Sequence, residues 1–159
     1  MTKNCSRMAV LILLFSAAAH AQCATGGLAV IVNKSNPVES LSMAQLRRVV
    51  LGDVRAWPDH KPVSLVAKDP TSKTFQCMIS SIVRLSVAEY RRYIMNAEFR
   101  GDEPMSIRNA DSDVFAANIV SQLPGGIAIV GANSVAAIGA NVKVVKVDGK
   151  AVGQLGYPL

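Results

Sequence analysis

Leu28-Ala29-Val30-Ile31-Val32-Asn33 is an apolar run rich in β-branched residues and closed by an amide. Its length and composition predict a buried strand that ends in a polar turn over residues 33–37. The next stretch changes period. Ser42 and Gln45 form a capping box, Leu41 and Leu46 a hydrophobic staple, and Gly52 stands where a left-handed residue closes a helix. Met43, Leu46, Val49 and Val50 share one face of that helix, Met43–Leu51, while Arg47 and Arg48 fall on the solvated side.

The same alternation continues down the chain. Pro62–Ala67 reads as a second strand. A polar loop, Lys68-Asp69-Pro70-Thr71-Ser72, leads to a helix over Lys73–Arg84 whose Phe75, Met78, Ile79, Ile82 and Val83 make one stripe. Cys77 projects off that stripe, which places it near the surface or against something packed outside the helix. Ser86 with Glu89 makes a second capping box, and Leu85 with Tyr90 a second staple, for a helix over Val87–Glu98. Tyr90, Ile94 and Ala97 continue its apolar side; Arg91 and Arg92 are exposed. Phe99–Pro104 reads as a loop around Gly101. Asp111 caps a helix over Ser112–Gln122 that turns Phe115, Ile119 and Val120 inward and ends at Leu123-Pro124-Gly125. Ile127–Val130 and Val142–Val147 are the remaining strands, the last closed by an Asp148-Gly149 turn. Strands alternating with helices define an α/β layer architecture with a partly parallel sheet.

The chain has 159 residues, enough for one domain with its own core and too few for two. Residues 1–21 read as a signal peptide: Lys3 and Arg7 give a positive start, Met8 to Ala19 an apolar run, and Ala19-His20-Ala21 a cleavage site before Gln22. The run is shorter than the roughly 20 residues a membrane-spanning helix needs. The expected mature domain is therefore residues 22–159, in the periplasm. Losing Lys3 and Arg7 lowers the formal charge from +6 to about +4, which suits an anionic ligand or partner and makes no case for nucleic acid. Cys23 and Cys77 remain after Cys5 is removed, in a compartment that permits a disulfide between them. No further Cys, His or Asp cluster accompanies them, so neither a metal nor a cofactor is expected. His60 is the single histidine left, in a turn after Trp57 and far in sequence from Cys77 and the serines. With no nucleophile beside a base and no paired carboxylates, the residues argue against an enzyme.

The order of segments resembles the second lobe of the periplasmic phosphate-binding proteins that feed ABC importers. In that family a strand ends in Asn, and a helix closes with Phe-Leu-Gly ahead of a Trp; here Asn33, Val50-Leu51-Gly52 and Trp57 take those places. The family then has a basic residue, a short turn and Ser-Gly-Thr opening a helix with Phe soon after, matched by Lys68, Ser72-Lys73-Thr74 and Phe75. A Gly-Ala-Ile-Gly-Tyr strand is matched in part by Gly125-Gly126-Ile127-Ala128-Ile129-Val130. Val147-Asp148-Gly149 and Tyr157-Pro158-Leu159 are similar to the closing segment. The resemblance runs from about Leu28 to Leu159 and implies a single lobe of a type 2 periplasmic-binding-protein fold, a mixed sheet with flanking helices. It implies inorganic phosphate or a similar oxyanion as ligand and an ABC permease as partner. Lys73 departs from the pattern by replacing glycine, and the family's first lobe, with its own phosphate loop, has no counterpart.

An oxyanion site needs converging donors, and a helix N-terminus supplies free N–H groups and partial positive charge. The Ser72 and Thr74 hydroxyls and the Lys68 and Lys73 ammonium groups lie at such a start. The plain alternative is that Ser72 or Thr71 only caps the helix and the lysines are solvated. Asp69 either accepts a proton from a protonated oxyanion or orders the Asp-Pro turn. Two functions follow: a solute-binding module for phosphate or a similar oxyanion, or a single-lobe protein that has lost its solute and binds an envelope protein or a second copy of itself.

Overall fold

β1, Leu28–Asn33, is buried at all six positions because it lies inside a sheet covered on both faces. The computed structural model describes Cys23, residues 27–100, Asp102 and residues 105–159. The expected signal peptide, and Gly101 and Pro104 of the expected loop, lie outside the described residues. Along the chain follow β2 (Ser40–Leu41), α1 (Met43–Leu51), β3 (Ser64–Lys68) and α2 (Lys73–Met78). A π-helical turn over Ile79–Val83 extends α2, and α3 (Val87–Phe99), β4 (Ser106–Ala110) and α4 (Asp113–Gln122) come next. β5 (Gly126–Gly131), a 3-10 turn (Ala132–Ala137) and β6 (Val142–Val147) complete it.

The six strands form one mixed sheet in the order β2-β6-β1-β5-β3-β4. β1 runs antiparallel to β5 and β6, whereas β3 runs parallel to β5 and β4. Alternation sorts the side chains of β1. Leu28, Val30 and Val32 join the larger core cluster with Leu46, Val50, Phe75, Met78 and Ile79. Ala29 and Ile31 face the smaller one, with Ala116, Ala117 and Val120 of α4. The result is a three-layer α/β lobe with α4 on one face and the other helices on the opposite face.

Both capping boxes form: Ser42 with Gln45, and Ser86 with Glu89. Gly52 closes α1 at φ 79°, a left-handed conformation that favours glycine. Trp57 is buried and its indole N–H donates to the Gly125 carbonyl at 2.9 Å. A Cβ on Gly125 would lie 1.8 Å from the Pro62 carbonyl oxygen, so only glycine lets these segments touch. Asn33 is structural as well. Its amide donates to the Val120 and Ser121 carbonyls at the end of α4, each at 2.9 Å.

Two side chains depart from their helical-wheel placement. Phe115 is 48% exposed rather than inward, because α4 sits close to the sheet on its small residues, Ala116 and Ala117. Ser112, not Asp111, is the cap of that helix. Cys77 is 8% exposed and belongs to the main core cluster; Cys23 packs against that cluster from outside the helix.

Candidate functional site

The loop from Lys68 to Phe75 links the C-terminal end of β3 to α2. Its chain reversal is built by Asp69. The carboxylate accepts from the Thr71 N–H at 2.8 Å and the Thr71 hydroxyl at 2.5 Å, and the Asp69 carbonyl accepts from the Ser72 N–H at 2.9 Å. These Thr71 bonds, with Arg91 adding attraction, hold the Asp69 carboxyl below its ordinary pKa. The ionised Asp69 orders the turn through its Oδ1 atom.

Ser72 is the N-cap of α2, its hydroxyl accepting from the Phe75 N–H at 3.2 Å. That leaves Lys73 and Thr74. Lys73 is exposed and Thr74 half-buried. Neither side chain makes a hydrogen bond or ion pair among the described residues, and the first-turn N–H groups of both lack a partner within the helix. Four donors therefore remain at one helix start: two backbone N–H groups, a hydroxyl and an ammonium.

Lys68, the other basic candidate, is committed elsewhere. Its Nζ lies 3.0 Å from Asp113 Oδ1, with 19% and 12% of the two side chains exposed. The second Asp113 oxygen accepts from the Gly131 N–H at 3.1 Å and the Ser134 hydroxyl at 2.7 Å. Burial alone would raise the Asp113 pKa. The bonds from Ser134, Lys68 and Gly131 outweigh it and hold the carboxyl below its ordinary value. A backbone N–H, a hydroxyl and an ammonium converge as they would on an oxyanion, and a carboxylate of the chain itself fills the place.

Next to the loop lies a cavity of about 220 Å³ between α3 and the β3–β4 edge. Phe75, Ile94, Met95 and Ile107 give it an apolar lining, and Lys68 and Arg91 stand on it as cations. Arg91 is exposed, as expected, but it borders this cavity and acts on Asp69. Asp113, Ser134 and Arg91 were not among the sequence candidates. Arg91 had only its exposed position to mark it, and Asp113 meets Lys68 across 45 residues of sequence. Among the described residues no three His, Cys, Asp or Glu side chains group to hold a metal. No helix of the described residues is long and apolar enough to cross a membrane.

This lobe, with its loop at the end of β3, has the fold of about half of a phosphate-binding ABC transport receptor. No family model matches the sequence. Among solved structures, an ABC-type phosphate transport receptor from Vibrio cholerae superposes with a TM-score of 0.62 at 19% identity, over 79% of this chain and 48% of that one. A phosphate binding protein from Stenotrophomonas maltophilia gives 0.60 at 15% identity, over 80% and 40%. PstS from Borrelia burgdorferi gives 0.62 at 11% identity, over 77% and 47%. The chain thus spans less than half the length of each, and the likeness is one of fold.

Proposed function

We propose that this chain is an exported solute-binding module that holds phosphate or a similar oxyanion at the first turn of α2. The observation that carries the reading is the set of unused donors on Lys73 and Thr74, at the loop that follows β3. The likeness to phosphate transport receptors supports it, as does the basic balance of the chain. Ser72 shapes the turn, Asp69 fixes the chain reversal, and Lys68 anchors the end of β3 through its pair with Asp113. An ABC permease of the envelope is the corresponding partner, and the periplasm the corresponding compartment.

A second reading is favoured by the free edge of β4, the last strand of the sheet. Exposed Ile107 lies on it and exposed Met95 and Phe115 flank it, Arg91 and Arg108 border the grooves on its two sides, and among the described residues no carboxylate lines either groove. That charge pattern suits an extended partner segment with alternating apolar and acidic residues, adding a strand to β4. On this reading the carboxylate-filled cradle at Asp113 belongs to a lobe that no longer takes a solute.

Titration with phosphate, sulfate and a neutral sugar, followed by calorimetry and backbone amide shifts, separates the two. The solute reading expects saturable shifts at Lys73, Thr74 and Phe75 with the anions alone, weakened at least threefold by Lys73→Ala together with Thr74→Val. No saturable response at millimolar anion removes it and leaves the β4 reading.

A further inference from the structure

We propose that Cys23 and Cys77 close a disulfide that staples the segment at the start of the expected mature chain to the core. The two cysteines stand far apart in sequence, yet the fold brings them together. Cys23 Sγ lies 3.3 Å from Ser81 Oγ and 3.9 Å from Ser80 Oγ. The Ser80 hydroxyl in turn donates to the Cys77 carbonyl at 3.2 Å. Residues three and four positions after Cys77 share its side of the helix, so a thiol seated on Ser80 and Ser81 is seated on Cys77 as well. The Cys77 side chain hydrogen-bonds Cys23, and both belong to the packing of the larger core cluster.

Two other uses of this pair fit less well. A metal would need further ligands, and none group there among the described residues. Plain packing of two reduced thiols as small apolar groups explains the burial of Cys77. It does not explain why Cys23 is held by three polar neighbours. Burial raises the Cys23 pKa, but the bonds from Cys77, Ser81 and Ser80 outweigh this and bring it below the ordinary cysteine value. That favours the thiolate, the form that attacks disulfides.

The chemistry follows from exposure. Cys23 is half-buried and Cys77 buried, so Cys23 enters first. Its thiolate attacks a disulfide of the oxidant, a small-molecule or protein disulfide, forming a mixed disulfide and releasing one thiol. Cys77 then gives its proton to solvent, and its sulfur displaces the second thiol as the Cys23–Cys77 bond forms. Two cysteine thiols are oxidised, and one oxidant disulfide is reduced to two thiols. The crosslink closes a loop of about 55 residues and fixes Cys23 against the π-helical turn.

The test uses the full chain in a Cys5→Ser background, prepared reduced and then equilibrated with glutathione disulfide. Intact mass and a non-reducing peptide map should show loss of two hydrogens and a Cys23–Cys77 linked peptide, with no glutathione retained. The thermal midpoint should rise by roughly 10 °C on oxidation. With Cys77→Ala, glutathione should accumulate on Cys23. With Cys23→Ser, Cys77 should stay unmodified until the chain is denatured. Two free thiols in the oxidised sample, glutathione retained on wild-type Cys23, or linkage between chains would each overturn the proposal.

Discussion

Lys68 and Asp113 meet with less than a fifth of either side chain exposed, so removing one charge strands the other. Asp113→Asn should therefore lower stability near neutral pH by about 1–3 kcal/mol, read from urea midpoints. The pH dependence has a definite sign. Asp113 has a folded pKa below its ordinary 3.8, so its contribution is full above that value and lost as pH falls through the lower one. The gap between wild type and Asp113→Asn should narrow through that acidic window; a gap unchanged from neutral pH to acid would contradict the role. Gly125 offers a steric test at the same scale. Adding one methyl drives a Cβ into the Pro62 carbonyl, so Gly125→Ala should cost more than about 2 kcal/mol in denaturant unfolding. Sequence marked Lys68 and Gly125 through neighbouring residues. Asp113 escaped it because charge pairing across parallel strands and a helix start leaves no local periodicity.

The two capping boxes were the most legible elements, since each is written within a few residues. Ser86→Ala removes the hydroxyl that accepts from the Glu89 N–H, and should cost about 1 kcal/mol by urea unfolding. Ser72→Ala should behave alike, because its hydroxyl is likewise spent on the Phe75 N–H. A stability loss without an equal loss of anion affinity is thus the expected pattern at Ser72, the reverse of that at Lys73. β1, β5, β6 and all four helices were legible from apolar runs and helical stripes. β2 and β4 were not. β2 has only two residues, and β4 reads Ser106-Ile107-Arg108-Asn109-Ala110, with one large apolar side chain among polar ones. An edge strand with four exposed positions carries little of the hydrophobic pattern by which strands are found. The π-helical turn escaped for another reason: inserting one residue into the helical repeat shifts the face without changing composition. The α/β class survived these misses because the central strands, buried on both faces, determine the layers.

At the scale of the whole lobe, the first turn of α2 presents its donors on an open surface. The chain spans less than half the length of the solved structures compared above, and Lys73 is exposed on that turn. An anion held there keeps much of its water, so affinity should be weak and carried largely by charge. That makes salt the discriminating variable. Raising ionic strength from about 0.02 M to about 0.2 M shortens the screening length from roughly 20 Å to roughly 7 Å. If the Lys73 ammonium dominates, the phosphate dissociation constant should rise at least threefold over that range, and Lys73→Ala should remove most of the rise. If backbone N–H groups and the Thr74 hydroxyl dominate, affinity should change little with salt and Thr74→Val should weaken it at every ionic strength. Arg91 sharpens the comparison. It is exposed on the nearby cavity and attracts Asp69, so Arg91→Ala should act only through the long-range field. Its effect on phosphate should be visible at low salt and vanish at high salt. A loss of affinity with Arg91→Ala that persisted at high salt would mean direct contact, and would move the anion from the helix start into the cavity beside it.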